Sequence, residues 1–219
     1  MMLYIVRHGD PDYEHNTITP HGHKEAAALA QWFRDIPLDE IYTSPLGRAI
    51  DTAAYTCDVK GLAPSVLPWA EESMDYMERI SPTHPFGYRM SEEHGITDIE
   101  DSYPARADTI ARLIRESDAF FAEKGYVREG AHYRVTAHNE QHIAIFCHGG
   151  FGTALTAHLL GLPPALGFQS MFMTTSSVTT FEWSDPFKDS ITRPRMLRFG
   201  EITHLDRQGL TSNREYLLK

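Results

Sequence analysis

Cysteine is scarce in this chain. Cys57 and Cys147 are the two among 219 residues. Neither belongs to a Cys-x-x-Cys pair, so a disulfide framework is excluded and a structural zinc knuckle is not expected. Basic residues are outnumbered, with 20 Lys plus Arg against 30 Asp plus Glu and a formal net charge of −10. That balance argues against a general binder of nucleic acid or of an anionic membrane, both of which need a net basic face. No apolar run reaches 18 residues, so no membrane-spanning helix is expected. Residues 1–10 lack a basic segment followed by a long apolar run and a small-residue cleavage site. The reading is a soluble protein of a reducing compartment, most simply cytoplasmic. No repeat, low-complexity block or interdomain linker is visible.

Apolar residues are not lacking. At 42% hydrophobic the chain has too much apolar content for disorder to be its main state, and a chain of this length buries on the order of 70% of its unfolded surface. A single domain over residues 1–219 is expected. Leu3-Tyr4-Ile5-Val6 is a short β-rich run that reads as a buried central strand. Thr19-Pro20 has the form of a helix N-cap and first turn, followed by helix to Phe33. Ile41-Tyr42-Thr43 is a second strand, and Ser44-Pro45 reads as another helix start, continuing through Thr56. Val66-Leu67 suggests a short strand and Pro104 opens a helix to about Lys124. His142 to Cys147 is the second strong buried strand, with helix from Thr153 to Leu160 and late strands at Val178–Trp183 and Arg195–Phe199. Residues 125–141 are polar, and about 69–103 reads as an irregular insertion over the site. Strands alternating with helices predict a three-layer α/β/α sandwich around a mostly parallel sheet.

Both strong strands end in a histidine and a glycine, as Arg7-His8-Gly9 and His148-Gly149-Gly150. Ligands of open parallel sheets sit beyond the carboxyl ends of the strands, so two imidazoles at that edge face one ligand. The glycines, Gly149 among them, let the backbone approach closely and leave N–H groups for an anion. Arg7 adds a planar charged fork, and Arg48 a second one near a helix start. Two arginines, two histidines and a helix start together suit a phosphoryl group better than a neutral substrate.

Three blocks carry a resemblance to a known family. Leu3 to Gly9 resembles the opening of the histidine phosphatase superfamily, the phosphoglycerate mutase-like enzymes. Thr43-Ser44-Pro45-Leu46-Gly47-Arg48-Ala49-Ile50-Asp51-Thr52-Ala53 is similar to its second block, and Cys147-His148-Gly149-Gly150 to its third. Thr19-Pro20-x-Gly22 with Lys24 to Ala27 also resembles the family's first helix start. The resemblance implies a phosphoglycerate mutase-like fold with His8 as the nucleophile that carries the phosphoryl group. Arg7, Arg48 and His148 would neutralise its oxygens, which makes a metal or other cofactor unnecessary. It also implies a glutamate as proton donor shortly after the strand at Val66-Leu67. Glu72, spaced three after Trp69, is preferred there to its neighbour Glu71, and a carboxyl beside bound phosphate favours its protonated form.

Asn16, in the Asp10–Asn16 stretch, is a candidate phosphate contact or a turn residue. His84, Tyr88, Arg89 and His94 are candidate substrate contacts. Ser176 and Ser177 fall where the family places a loop near the site, and neither is given a role. His21-x-His23 with His138 and His142 does not make a metal site, since i, i+2 histidines of a helix share no face. Cys147 is read as inert packing. The expected activity is hydrolysis of a small phosphomonoester. A phosphoglycerate mutase comes second, because the middle stretch is acidic (Glu71, Glu72, Asp75, Glu78, Glu92 and Glu93 against Arg79 and Arg89), and a non-catalytic phosphate-binding protein third. The identity of the substrate and the oligomeric state, a homodimer included, stay open at this point.

Overall fold

Short apolar runs that bury both faces build the centre of the molecule. The computed structural model describes residues 1–73, 76, 90–91, 95–96, 104–184 and 187–210. The elements follow in order as β1 (Met2–Arg7), β2 (Pro11–Asp12), β3 (Thr17–Ile18), α1 (Pro20–Phe33), β4 (Glu40–Thr43), α2 (Gly47–Lys60) and β5 (Ser65–Val66). After a 3₁₀ turn at Pro68–Ala70 come β6 (Met90–Ser91), β7 (Gly95–Ile96), α3 (Pro104–Glu123), β8 (Tyr126–Glu129), β9 (His132–Val135) and β10 (His142–Cys147). The chain continues with α4 (Gly149–Leu160), α5 (Pro164–Ser170), β11 (Val178–Glu182), β12 (Ile191–Thr192), β13 (Arg195–Glu201) and α6 (Thr203–Arg207).

The main sheet has six strands in the order β13-β11-β1-β10-β4-β5. β1, β10, β4 and β5 pair in parallel. The two late strands expected from the sequence are present, and both join antiparallel on the other side of β1. Alternation along the strands divides the core into two layers. Leu3, Ile5, Ile143 and Ile145 pack with Phe120, Phe121 and Phe151 of α3 and α4. Tyr4, Val6, Ala144 and Phe146 pack with Leu29, Phe33, Ala53 and Cys57 of α1 and α2. Sheet strands covered on both faces therefore read as continuous apolar runs rather than alternating ones.

Two sequence readings are corrected. Ser44-Pro45 does not begin the second helix, which starts at Gly47 behind an extended Leu46 that makes no side-chain cap. The Ser44 hydroxyl instead accepts the Leu46 N–H at 3.2 Å and meets His148 Nε2 at 2.6 Å. The polar stretch 125–141 holds the β8–β9 hairpin, which buries Tyr126, Tyr133 and Val135. The charged residues between those three hide the alternation. Thr19 does cap α1, its side chain accepting the Gly22 N–H at 3.1 Å. Most of the stretch read as an insertion, 69–103, lies outside the described residues.

The start of α1 is pressed against the segment that leaves β1. A Cβ on Gly22 would lie 2.4 Å from the Asp10 carbonyl oxygen and 2.9 Å from Ile18 Cβ. Gly22→Ala is predicted to lower the midpoint of thermal unfolding, although alanine improves helix propensity by about 1 kcal/mol. The Asp10 backbone and the Ile18 side chain leave the methyl group nowhere to go. A midpoint unchanged or raised would show that the loop yields.

Candidate active site

The register of two strands brings the histidines together. β1 and β10 run parallel with Arg7 opposite Cys147, so the next residue of each, His8 and His148, leaves the sheet at one level. The His8 N–H donates to the Cys147 carbonyl at 2.9 Å, and the Ser44 N–H at the end of β4 to the Phe146 carbonyl at 2.8 Å. The imidazole centroids of His8 and His148 are 5.1 Å apart, with the rings tilted by 59°. Both side chains are buried.

His8 Nδ1 lies 2.7 Å from the Gly9 carbonyl. A carbonyl only accepts, so Nδ1 carries the proton and Nε2 keeps its lone pair. Burial, then Arg7, then Arg48 hold the His8 pKa down to about 3, against the pull of the Gly9 carbonyl. Burial also lowers that of His148 to about 2, helped by His8, Arg48 and Arg7.

Arg7 Nη1 donates to the Met173 carbonyl at 2.5 Å. Arg48, in the first turn of α2, donates from Nη1 to Asn16 Oδ1 at 3.3 Å. Asn16 holds a left-handed conformation at φ 51°. Exposed Tyr13 and Phe172 lie against the guanidinium groups, Tyr13 at 5.4 Å from Arg48 and Phe172 at 5.9 Å from Arg7. Gly149 makes room for Arg7, since a Cβ there would lie 3.3 Å from Arg7 Cζ. Arg7 Nε, Arg48 Nε and His148 Nδ1 are buried without a hydrogen-bond partner among the described residues. Buried polar atoms of native proteins are overwhelmingly paired, so three orphans around one imidazole point to an anion.

Glu72 arrives from the turn at Pro68–Ala70. Its carboxylate accepts the Gly150 N–H at 2.9 Å and the Phe151 N–H at 3.0 Å, capping α4. Burial raises its pKa, and the two amides with Arg7 and Arg48 pull the other way. Glu71 is exposed. The sequence reading left the glycine amides of this corner to the phosphate. The structure gives Gly150 and Phe151 N–H to Glu72, and Gly9 N–H to Thr52 Oγ1 at 2.9 Å. A cleft of about 350 Å³ opens beside Glu72, lined by Trp69, Glu71, Ser73, Tyr76, Thr109, Arg112 and Leu113.

The family profile described as histidine phosphatase superfamily (branch 1) matches residues 3–189. The chain belongs to this superfamily. Among solved structures it is similar to a mycobacterial glucosyl-3-phosphoglycerate phosphatase in complex with VO3. That likeness has 21% identity, a TM-score of 0.60, and cover of 92% of this chain and 99% of that one. It is also similar to a phosphoserine phosphatase of Entamoeba histolytica in complex with 3-phosphoglyceric acid. There the identity is 17% and the TM-score 0.60, over 93% of this chain and 98% of that one. No curated protein matches. The superfamily's mixed α/β fold, with helices on both faces of the sheet, is the one seen here.

Other sequence candidates fall elsewhere. His21 Nε2 lies 3.4 Å from Glu25 Oε1, His23 meets the Tyr55 hydroxyl at 3.0 Å and His142 the Tyr4 hydroxyl at 3.3 Å. Among the described residues no group of three or more His, Cys, Asp or Glu is arranged to hold a metal ion. Burial raises the Cys147 thiol well above its ordinary range. His84, Tyr88, Arg89 and His94 lie outside the described residues, as do Asp75, Glu78, Arg79, Glu92 and Glu93. Among the described residues no helix is long and apolar enough to cross a membrane. Sequence reasoning missed Ser44 as a partner of His148, having read it as a helix cap.

The lowered pKa values have a direct consequence. A free histidine, with its pKa near 6.5, is mostly protonated at pH 5, whereas His8 and His148 are predicted to stay neutral there. Imidazole ¹H–¹⁵N NMR, with His8→Ala and His148→Ala for assignment, reads this. Protonation of both rings by pH 5.5 would contradict the buried, arginine-flanked geometry.

Proposed function

We propose that the chain is a metal-independent phosphatase that hydrolyses a small phosphomonoester through a phosphohistidine on His8. The observation that carries this reading is His8 with Nδ1 on the Gly9 carbonyl, which leaves the Nε2 lone pair free, among three buried nitrogens that lack partners among the described residues. Arg7, Arg48 and His148 would receive the non-bridging oxygens of the phosphoryl group, which places fixed positive charge where the transition state spreads negative charge. Ser44 accepts the Leu46 N–H, so its own O–H is free to donate to His148 Nε2. That selects the tautomer whose Nδ1–H faces the anion.

In the first half-reaction the His8 Nε2 lone pair forms the N–P bond as the P–O bond of the ester breaks. The departing alkoxide takes the proton of Glu72, whose pKa is raised by burial. In the second, the Glu72 carboxylate takes a proton from water, the water oxygen bonds to phosphorus and the P–N bond breaks. Inorganic phosphate leaves and His8 returns to its neutral form. The phosphatase neighbours support this reading through the shared fold.

Hydrolysis of p-nitrophenyl phosphate in excess EDTA, by wild type and His8→Ala, tests the reading. Turnover that survives the chelator and is lost in the variant is expected. Undiminished turnover by His8→Ala would end it. Glu72→Gln separates the donor from the nucleophile. It should lower kcat/KM, which reports the first half-reaction, by roughly 10²–10⁴-fold for an alkyl phosphate, the usual worth of a positioned acid, and far less for p-nitrophenyl phosphate, because nitrophenolate leaves without a proton. The donor is the protonated form, so turnover of an alkyl phosphate should fall as pH rises through the raised Glu72 pKa. A rate that keeps rising to pH 9 would count against Glu72.

A further inference from the structure

Glu25 is a carboxylate with no accessible surface, on α1 and outside every step above. Its Oε2 accepts the Asp10 N–H at 2.7 Å and the Ser176 hydroxyl at 3.2 Å. Its Oε1 accepts the Thr175 hydroxyl at 3.1 Å and faces His21 Nε2 at 3.4 Å. The Asp10 N–H and the two hydroxyls are donors, which a carboxylate satisfies together and an apolar side chain does not. Burial raises its pKa and these contacts oppose the rise.

Three of those partners, Asp10, Thr175 and Ser176, belong to two loops that both hold His8, and His21 lies on α1 with Glu25. Asp10 ends the loop Arg7-His8-Gly9-Asp10, which leaves β1. Thr175 and Ser176 belong to the loop that enters β11. The Ser176 N–H donates to the His8 carbonyl at 3.0 Å, and the Arg7 N–H donates to the Ser177 carbonyl at 3.1 Å. Ser176 is fully buried and holds φ 55°, a left-handed conformation that a non-glycine residue keeps only when its surroundings impose it. Glu25 is the side chain that grips both loops at once.

We propose that Glu25 is a positioning residue, bridging the loop after β1 to the loop before β11 and so fixing the backbone that aims His8 Nε2 at phosphorus. The proposal rests on the reading of His8 as nucleophile. A displacement of about 1 Å in a reacting group costs on the order of 10²-fold in rate. The effect therefore belongs in kcat more than in KM, because Arg7, Arg48 and His148 still hold the phosphate.

The test uses Glu25→Met, which keeps length and loses the three accepted hydrogen bonds, and Glu25→Gln, whose amide oxygen still accepts the Asp10 N–H. Both are assayed on p-nitrophenyl phosphate well below their unfolding midpoints, beside wild type and His8→Ala. Glu25→Met should lose roughly ten- to a hundredfold in kcat with KM within about threefold, and Glu25→Gln should recover most of the loss. The His8 imidazole, flanked by Arg7, Arg48 and His148, should also titrate higher in Glu25→Met as its loop loosens. A Glu25→Met protein with a lower midpoint but wild-type kcat and an unmoved His8 titration would overturn the proposal. If Glu25→Met does not fold, the double variant Thr175→Val, Ser176→Ala decides by the same readouts, because it cuts one side of the bridge and leaves Glu25 in place. Activity retained by His8→Ala would instead refute the nucleophile reading. The NMR titration would still show whether Glu25 holds the loop.

Discussion

Parallel pairing of β1 with β10, in the register that sets Arg7 opposite Cys147, is the constraint on which the site depends. A slip of one residue would turn the two apolar layers inside out, because side chains alternate between faces with a period of two. Each layer is filled by a different helix pair, α1 and α2 on one side and α3 and α4 on the other. The hydrophobic core thus enforces the register, and the register sets His8 beside His148. Core packing and active-site geometry are here one requirement, which is why the strands carrying the histidines are the most apolar in the chain.

The charges at that edge are arranged against stability. Arg48, His8 and His148 are buried, and three nitrogens there, Arg7 Nε, Arg48 Nε and His148 Nδ1, lack partners among the described residues. A buried unsatisfied polar group costs about 1–3 kcal/mol. The fold offsets that cost with a dense set of supports around it: Gly9 carbonyl on His8, Ser44 on His148, Asn16 on Arg48, Met173 carbonyl on Arg7. An anion that pairs the free nitrogens would relieve the strain, and that preorganisation is the physical content of the phosphoryl-transfer reading. Glu72 shows the same balance in one side chain. Burial favours its protonated form while the amides of α4 favour its carboxylate, and the proposed proton donor, which would give and then retake a proton, needs both forms within reach.

Much of this was legible in the residues. Leu3–Val6 and His142–Cys147 are short, apolar and β-rich, and a strand buried on both faces has no other composition open to it. The histidines that follow them could be placed at one edge because parallel strands end together. Thr19-Pro20 marked the start of α1 because a hydroxyl cap and a donor-less first position act through local geometry alone. Glu72 was preferred to Glu71 on its spacing three after Trp69, and the structure turns Glu72 to α4 and leaves Glu71 exposed.

What the residues did not show are contacts between segments far apart in the chain. Ser44-Pro45 has the local form of a helix start, and only the packing of β4 against β10 turns that hydroxyl to His148 instead. The amides of Gly150 and Phe151 belong to Glu72 because a turn some 78 residues earlier delivers it there. Glu25 lies in the first helix start but no local pattern gives its role, and its partners lie up to 151 positions away. Local propensity and apolar periodicity, read along the chain, settled the strands, the helices and the edge where chemistry collects. The assignment of each donor to its acceptor was decided by tertiary structure, because a hydrogen bond depends on separations in space that no one-dimensional pattern contains.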